Sequence, residues 1–130
     1  MCAAAVLRAE RAAVGSRPEG DVPIGRLTID KKFEGDLAGA SVGQMVAFRA
    51  PVKGSAGYVA MERVTGTLGG RSGTFVLQHS GTMDRGASSL RVSVVPDSGT
   101  DGLTGLTGTL DIQIDAGKHS YRFDYAFRSA

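Results

Sequence analysis

The stretch from Gly57 to Gly81 constrains this chain most: two runs patterned for β-strands flank one glycine-rich turn at Gly69-Gly70. Residues in a strand alternate between its two faces, so loop length decides which side chains of a hairpin share a face. Any even-numbered loop places the even residues of the first run with the odd residues of the second. A four-residue loop sets Leu68 opposite Gly73, Gly66 opposite Phe75, Val64 opposite Leu77 and Glu62 opposite His79, a face suited to an interior. Arg63, Met61 and Thr67 then meet Gln78, Ser80 and Thr74 on a solvated face. An odd loop or a β-bulge would instead bring Glu62 beside Gln78 and turn His79 outward.

The same alternation recurs along the chain: at Leu27, Ile29 and Phe33 with Lys31 between, then over Gly39–Phe48, Tyr58–Leu68, Thr74–Met83, Leu90–Val95, Leu106–Ile114 and Ser120–Phe127. These are seven predicted strands. In the last, Tyr121, Phe123, Tyr125 and Phe127 share one face and Arg122, Asp124, Ala126 and Arg128 the other. Leu110, Ile112 and Ile114 alternate likewise, and Ala116-Gly117-Lys118 is a short turn joining these two runs. No window from Ile24 to Phe127 carries helical spacing, and most of the 19 glycines would each cost a helix interior about 1 kcal/mol. The fold class is therefore all-β. A closed antiparallel barrel of about eight strands removes the edges that a flat sheet would leave exposed, and a sandwich is the structural rival.

The 130 residues are read as one β-barrel domain over 24–130, with 1–23 an N-terminal extension and linker that also holds material for a first strand. Gly15–Pro23 carries two prolines and no pattern, so the folded body is expected to begin near Ile24. A formal charge of +2, with both signs interleaved, gives no footprint for nucleic acid. Met1–Val14 is broken by Arg8, Glu10 and Arg11, which leaves neither a membrane anchor nor an export signal. The single cysteine, Cys2, has no partner for a disulfide, and a reduced, cytoplasmic setting is expected.

Five blocks, Gly57–Glu62, Val64–Leu68, Gly73–Gly81, Val94–Thr100 and Gly117–Tyr121, together resemble the successive blocks of a bacterial family of unknown function whose members are similar to allene oxide cyclase barrels. The resemblance spans about Ile24 to Phe127. It implies a closed barrel of about eight strands with a central cavity, and a small homo-oligomer. It carries over no catalytic residue. The family opens on a β-strand, whereas Met1–Val14 reads poorly as one.

Glu62 and His79, brought to one face inside an apolar barrel, form a candidate acid–base couple, because burial and mutual attraction shift both protonation equilibria. The competing reading is a satisfied structural pair. Tyr58, Tyr121 and Tyr125, with Phe75 and Leu77, are the candidate ligand-binding residues. Of Met45 and Phe48 only one can face inward on a regular strand. Gly66–Gly73 lacks the Lys-Ser/Thr ending of a phosphate loop, and Asp97–Gly102 resembles the start of a calcium loop whose third and twelfth positions, Gly99 and Gly108, lack the oxygen ligands it needs. His79 and His119 have no cysteine nearby, so neither a metal nor a cofactor is expected.

Three functions stand open at this level: a barrel binding a small hydrophobic or amphipathic molecule, a cyclase- or isomerase-type enzyme using Glu62 with His79 or a tyrosine, and a structural oligomer whose barrel is packed shut.

Overall fold

Two glycines in the left-handed region, Gly69 (φ 57°) and Gly70 (φ 82°), make a two-residue turn of the type whose twist matches antiparallel strands. The computed structural model describes the backbone of residues 2–13, 24–115 and 118–128, and the side chains of 24–112 and 121–128. The architecture is an all-β antiparallel sheet: β1 (Cys2–Ala13), β2 (Ile24–Gly35), β3 (Leu37–Arg49), β4 (Ala56–Leu68), β5 (Arg71–Asp84), β6 (Ala87–Val94), β7 (Leu106–Asp115) and β8 (Lys118–Phe127). Each strand pairs with the next, and β8 pairs back onto β1, closing the sheet into a barrel. A short 3₁₀ turn, Asp101–Leu103, lies between β6 and β7.

The sheet starts at Cys2, upstream of the expected start near Ile24. β1 is alanine-rich and reads weakly by propensity, yet it is held on both sides: Leu7 pairs with Phe33 and Ala13 with Leu27, while Ala3 pairs with Phe123. Strand formation here follows from two neighbouring edges needing backbone partners more than from intrinsic preference. The predicted linker, Gly15–Pro23, lies outside the described residues, as do Ala116 and Gly117 of the predicted last turn. The backbone flanking that turn pairs Asp115 with Lys118.

The hairpin turn corrects the register expected across β4 and β5. It holds two residues where four were assumed, so the faces keep their parity but every partner shifts by two: Leu68 pairs with Arg71, Gly66 with Gly73, Val64 with Phe75, Glu62 with Leu77 and Ala60 with His79. On the outer face Arg63 pairs with Val76, Met61 with Gln78 and Thr67 with Ser72. On β3, Met45 is the inward residue and Phe48 is exposed.

The interior divides into two apolar clusters. The larger gathers Phe33, Leu37, Val64, Leu68, Phe75, Leu77, Val92, Val94, Leu106, Leu110, Tyr121 and Phe123, with Leu103 of the 3₁₀ turn dropped into it. The loop before that turn is tied to β5 by Ser98 Oγ, which accepts from the Val76 amide (3.1 Å), and by Thr100 Oγ1, which accepts from the Thr74 amide (3.1 Å). Leu103 thereby closes this end of the barrel. The smaller cluster, Ile29, Met45 and Ala60 with Leu27 and Tyr58 against it, occupies the other end. The seams between strands are long ladders except between β6 and β7, where Ser93 and Thr109 are the paired position among the described residues.

Candidate functional site

Between the two clusters runs a belt of polar side chains, one from each of four consecutive strands: Lys31 on β2, Ser41 on β3, Glu62 on β4 and His79 on β5. Lys31 falls between Ile29 and Phe33, and Glu62 between Ala60 and Val64, so these two strands carry the apolar interior on both sides of their polar residue. All four are buried, and Glu62 is only 1% exposed.

Glu62 is the centre. Its Oε1 accepts from Lys31 Nζ (3.1 Å) and from His79 Nε2, and its Oε2 accepts from Ser41 Oγ (2.6 Å). Burial alone would push this carboxyl up. The His79 hydrogen bond, the Lys31 charge and the Ser41 hydrogen bond outweigh it and hold the group down at about 2. An ionised carboxylate only accepts hydrogen bonds, so Nε2 of His79 carries the proton it shares with Glu62. Lys31 and His79 make no other hydrogen bond or ion pair among the described residues. Among the described residues, the Nδ1 of His79 and the remaining N–H groups of Lys31 have no partner.

Close backbone approach makes the belt possible. Gly43 pairs directly with Glu62. A methyl group there would lie 2.6 Å from the Glu62 Cα and 2.8 Å from its Cβ, so only glycine lets β3 approach Glu62 so closely. On the other side of His79, the Tyr58 ring covers Gly81, with Cδ1 3.0 Å from where a Cβ would stand. Tyr58 thus lies at the end of the barrel nearest His79.

The other predicted ligand residues lie elsewhere. Phe75 and Leu77 are fully buried in the larger cluster. Tyr121 packs edge-on against Phe33 at 5.3 Å and donates its hydroxyl to the Leu37 carbonyl, a long 3.5 Å contact. Burial, with the nearby Asp36 charge, pushes its phenol well above the ordinary tyrosine range. Tyr125 lies between Phe123 (5.3 Å) and Phe127 (6.1 Å). The structure therefore brings Glu62 and His79 together with Tyr58 nearby, and keeps the other four in the plugged end. Met61, on the outer face, is exposed.

Lys31 and Ser41 escaped the sequence reading. Lys31 is in phase with Leu27, Ile29 and Phe33, a charged residue in a buried register, and that phase was the available signal. Ser41 gives none, since a small hydroxyl among glycines fits either face.

At the end away from Leu103 the described inward-phase residues are partly exposed. Leu90 is in phase with buried Val92 and Val94, and Met83 with buried His79, yet they are 42% and 44% exposed. Leu27 and Tyr58 are half-buried. No group of three or more His, Cys, Asp or Glu residues converges as a metal site among the described residues. Among those residues, too, no helix is long and apolar enough to cross a membrane.

Fold and site together define a class: a small antiparallel β-barrel, plugged at one end, with a charged belt buried across its middle. The chain belongs to the DUF3224 family of proteins of unknown function, whose model matches residues 2–125. It is similar to the crystal structure of a DUF3224 protein of unknown function from Shewanella oneidensis MR-1, with 42% identity, a TM-score of 0.95, and 100% of this chain and 98% of that one covered. No curated protein matches. The family of unknown function expected from the sequence blocks is thus found, and these matches carry no link to allene oxide cyclases.

Proposed function

We propose that the accessible end of the barrel binds a small hydrophobic or amphipathic molecule, its apolar body against Leu27, Met45, Tyr58 and Leu90 and its polar head toward the belt. The observation that carries this reading is the contrast between the two ends. Inward-phase residues are sealed beneath Leu103 at one end, while Met83 and Leu90 remain open to solvent at the other. Small barrels hold ligands in such mouths, with a few polar groups fixing orientation. Lys31 supplies donors for a carbonyl or carboxylate head, and its charge is already balanced by Glu62. The likeness to allene oxide cyclase barrels belongs to this reading, since it too implies a cavity inside a closed barrel.

Titration with a fluorescent polyene fatty acid tests it. Saturable binding of one molecule per chain is expected, weakened at least about tenfold by Leu90→Arg, which places a charge across the mouth. Absence of saturable binding, or identical binding by Leu90→Arg, rejects the site.

A second reading rests on the Nδ1 of His79, which has no partner among the described residues. With Glu62 ionised and holding Nε2–H, the proton acceptor is His79 and Glu62 orients it, the reverse of a role in which Glu62 is the base. In that case Glu62→Gln leaves probe affinity within about tenfold yet abolishes conversion of any ligand turned over by the wild type.

A further inference from the structure

Strand alternation also defines the outer face of the barrel, and that face is unusually poor in charge on three adjacent strands. The outward positions of β3 run from Ala38 through Val42 and Val46 to Phe48 with no charged residue; those of β5, from Ser72 to Thr82, likewise have none. On β4, from Gly57 to Thr67, the sole outward charge is Arg63. Within this face Val42 is 62% exposed, Val59 55% and Met61 50%. Charge returns on the flanks, with Arg26, Asp30, Lys32 and Glu34 on β2 and Arg91 on β6. An apolar centre depleted in charge, within a charged rim, is the anatomy of a protein interface.

The ladder registers say what fits it. Asp30, Val42 and Arg63 form one row across β2, β3 and β4. Neither Asp30 nor Arg63 has a hydrogen bond or ion pair among the described residues. A second copy packed face to face, about a two-fold axis lying along β3 between the sheets, puts Asp30 of each chain opposite Arg63 of the other. Val42, Val46 and Phe48 then meet their own counterparts, which is tolerable only because β3 carries no outward charge to oppose itself. This is the reciprocity that an isologous interface requires.

We infer that the outer face of β3 and β4 is a homodimer interface, with the charged rim on β2 laid over the partner's β4, centred on Val42 and fixed in register by reciprocal Asp30–Arg63 pairs. From Ala38 to Phe48 the face is about 33 Å long at ~3.3 Å per residue, and three strands with their flanks span about 15 Å. That strip, with side-chain relief, approaches the roughly 800 Å² per partner of a stable complex. This interface lies on the outside of the barrel and is independent of any ligand within it.

Sedimentation velocity across about 1–100 μM protein decides the matter, with circular dichroism confirming that each variant is folded. The wild type is expected at twice the 13.5 kDa chain mass. Val42→Glu, which sets two carboxylates against each other on the axis, is expected at the chain mass. Arg63→Asp and Asp30→Arg should each weaken association at least about tenfold, and the double reversal should restore it to within about threefold of wild type. A monomeric wild type at about 100 μM overturns the inference and leaves the face to a different protein. A dimer indifferent to Val42→Glu overturns it as well, and failure of the double reversal overturns the Asp30–Arg63 pairing.

Discussion

Glu62→Gln separates the ionic contribution of the belt from its packing. The substitution keeps the shape, and Ser41 Oγ can accept from the new amide N–H while the one oxygen stays with Lys31 and His79, but it removes the charge facing Lys31 Nζ at 3.1 Å. Leaving one member of a buried ion pair uncompensated costs about 3–5 kcal/mol. Proton linkage gives a second, independent figure. The Glu62 carboxyl lies at about 2 against an ordinary 4.5, and at ~1.4 kcal/mol per unit this is about 3 kcal/mol of stability. A depressed pKa stabilises the fold above the unfolded value, so the term is complete above pH 4.5 and is lost as pH falls toward 2. The difference between wild type and Glu62→Gln should therefore be about 3 kcal/mol at pH 6 and under about 1 kcal/mol at pH 2, because groups that do not touch Glu62 cancel. The chain has no tryptophan, so urea unfolding is followed by far-ultraviolet circular dichroism at a series of pH values. A difference that stays constant from pH 6 to pH 2 would refute the ionised-carboxylate account and assign the effect to packing.

Three further substitutions probe the frame around the belt, each by urea unfolding. Gly43→Ala drives a methyl into the Glu62 backbone and should cost about 2–3 kcal/mol or prevent folding; a neutral result would show that β3 has room to retreat. Leu103→Ala, at a position with no exposed surface, should cost about 2–5 kcal/mol, and a loss under about 1 kcal/mol would mean that Leu103 does not plug the barrel. Arg85 holds φ 49° in the turn before Gly86, so Arg85→Asn should gain about 0.5–1 kcal/mol while keeping the amide bond to Ser55 Oγ.

The sequence made the barrel legible where side chains alternate cleanly. Tyr121 and Phe123 are buried while Arg122 and Asp124 are exposed, as their phase demands. It also put Glu62 and His79 on one face, because that result needs only an even loop. Their relative position needed the loop length itself, and two glycines at positive φ close the turn with two residues. The rest of the belt depends on more than one hairpin: Lys31 reaches Glu62 across β3, so its place follows only once the β2–β3 and β3–β4 registers are both fixed. Leu103 was illegible for a different reason. It lies in a segment with no periodicity, and its burial comes from the hydrogen bonds that tie Ser98 and Thr100 to β5.

The β6–β7 seam, with Ser93 and Thr109 as its paired position, makes the ring mechanically uneven. Heat or low concentrations of urea would part it there first, turning a cylinder into a curled ribbon without breaking any of the longer ladders. The amide protons of β6 and β7 that face this seam would then exchange with solvent well before those of β3 and β4. The ribbon would also bare two unpaired strand edges, which can close on each other or on a neighbouring molecule. Strand exchange between chains is thus the failure mode this architecture favours when crowded and warmed.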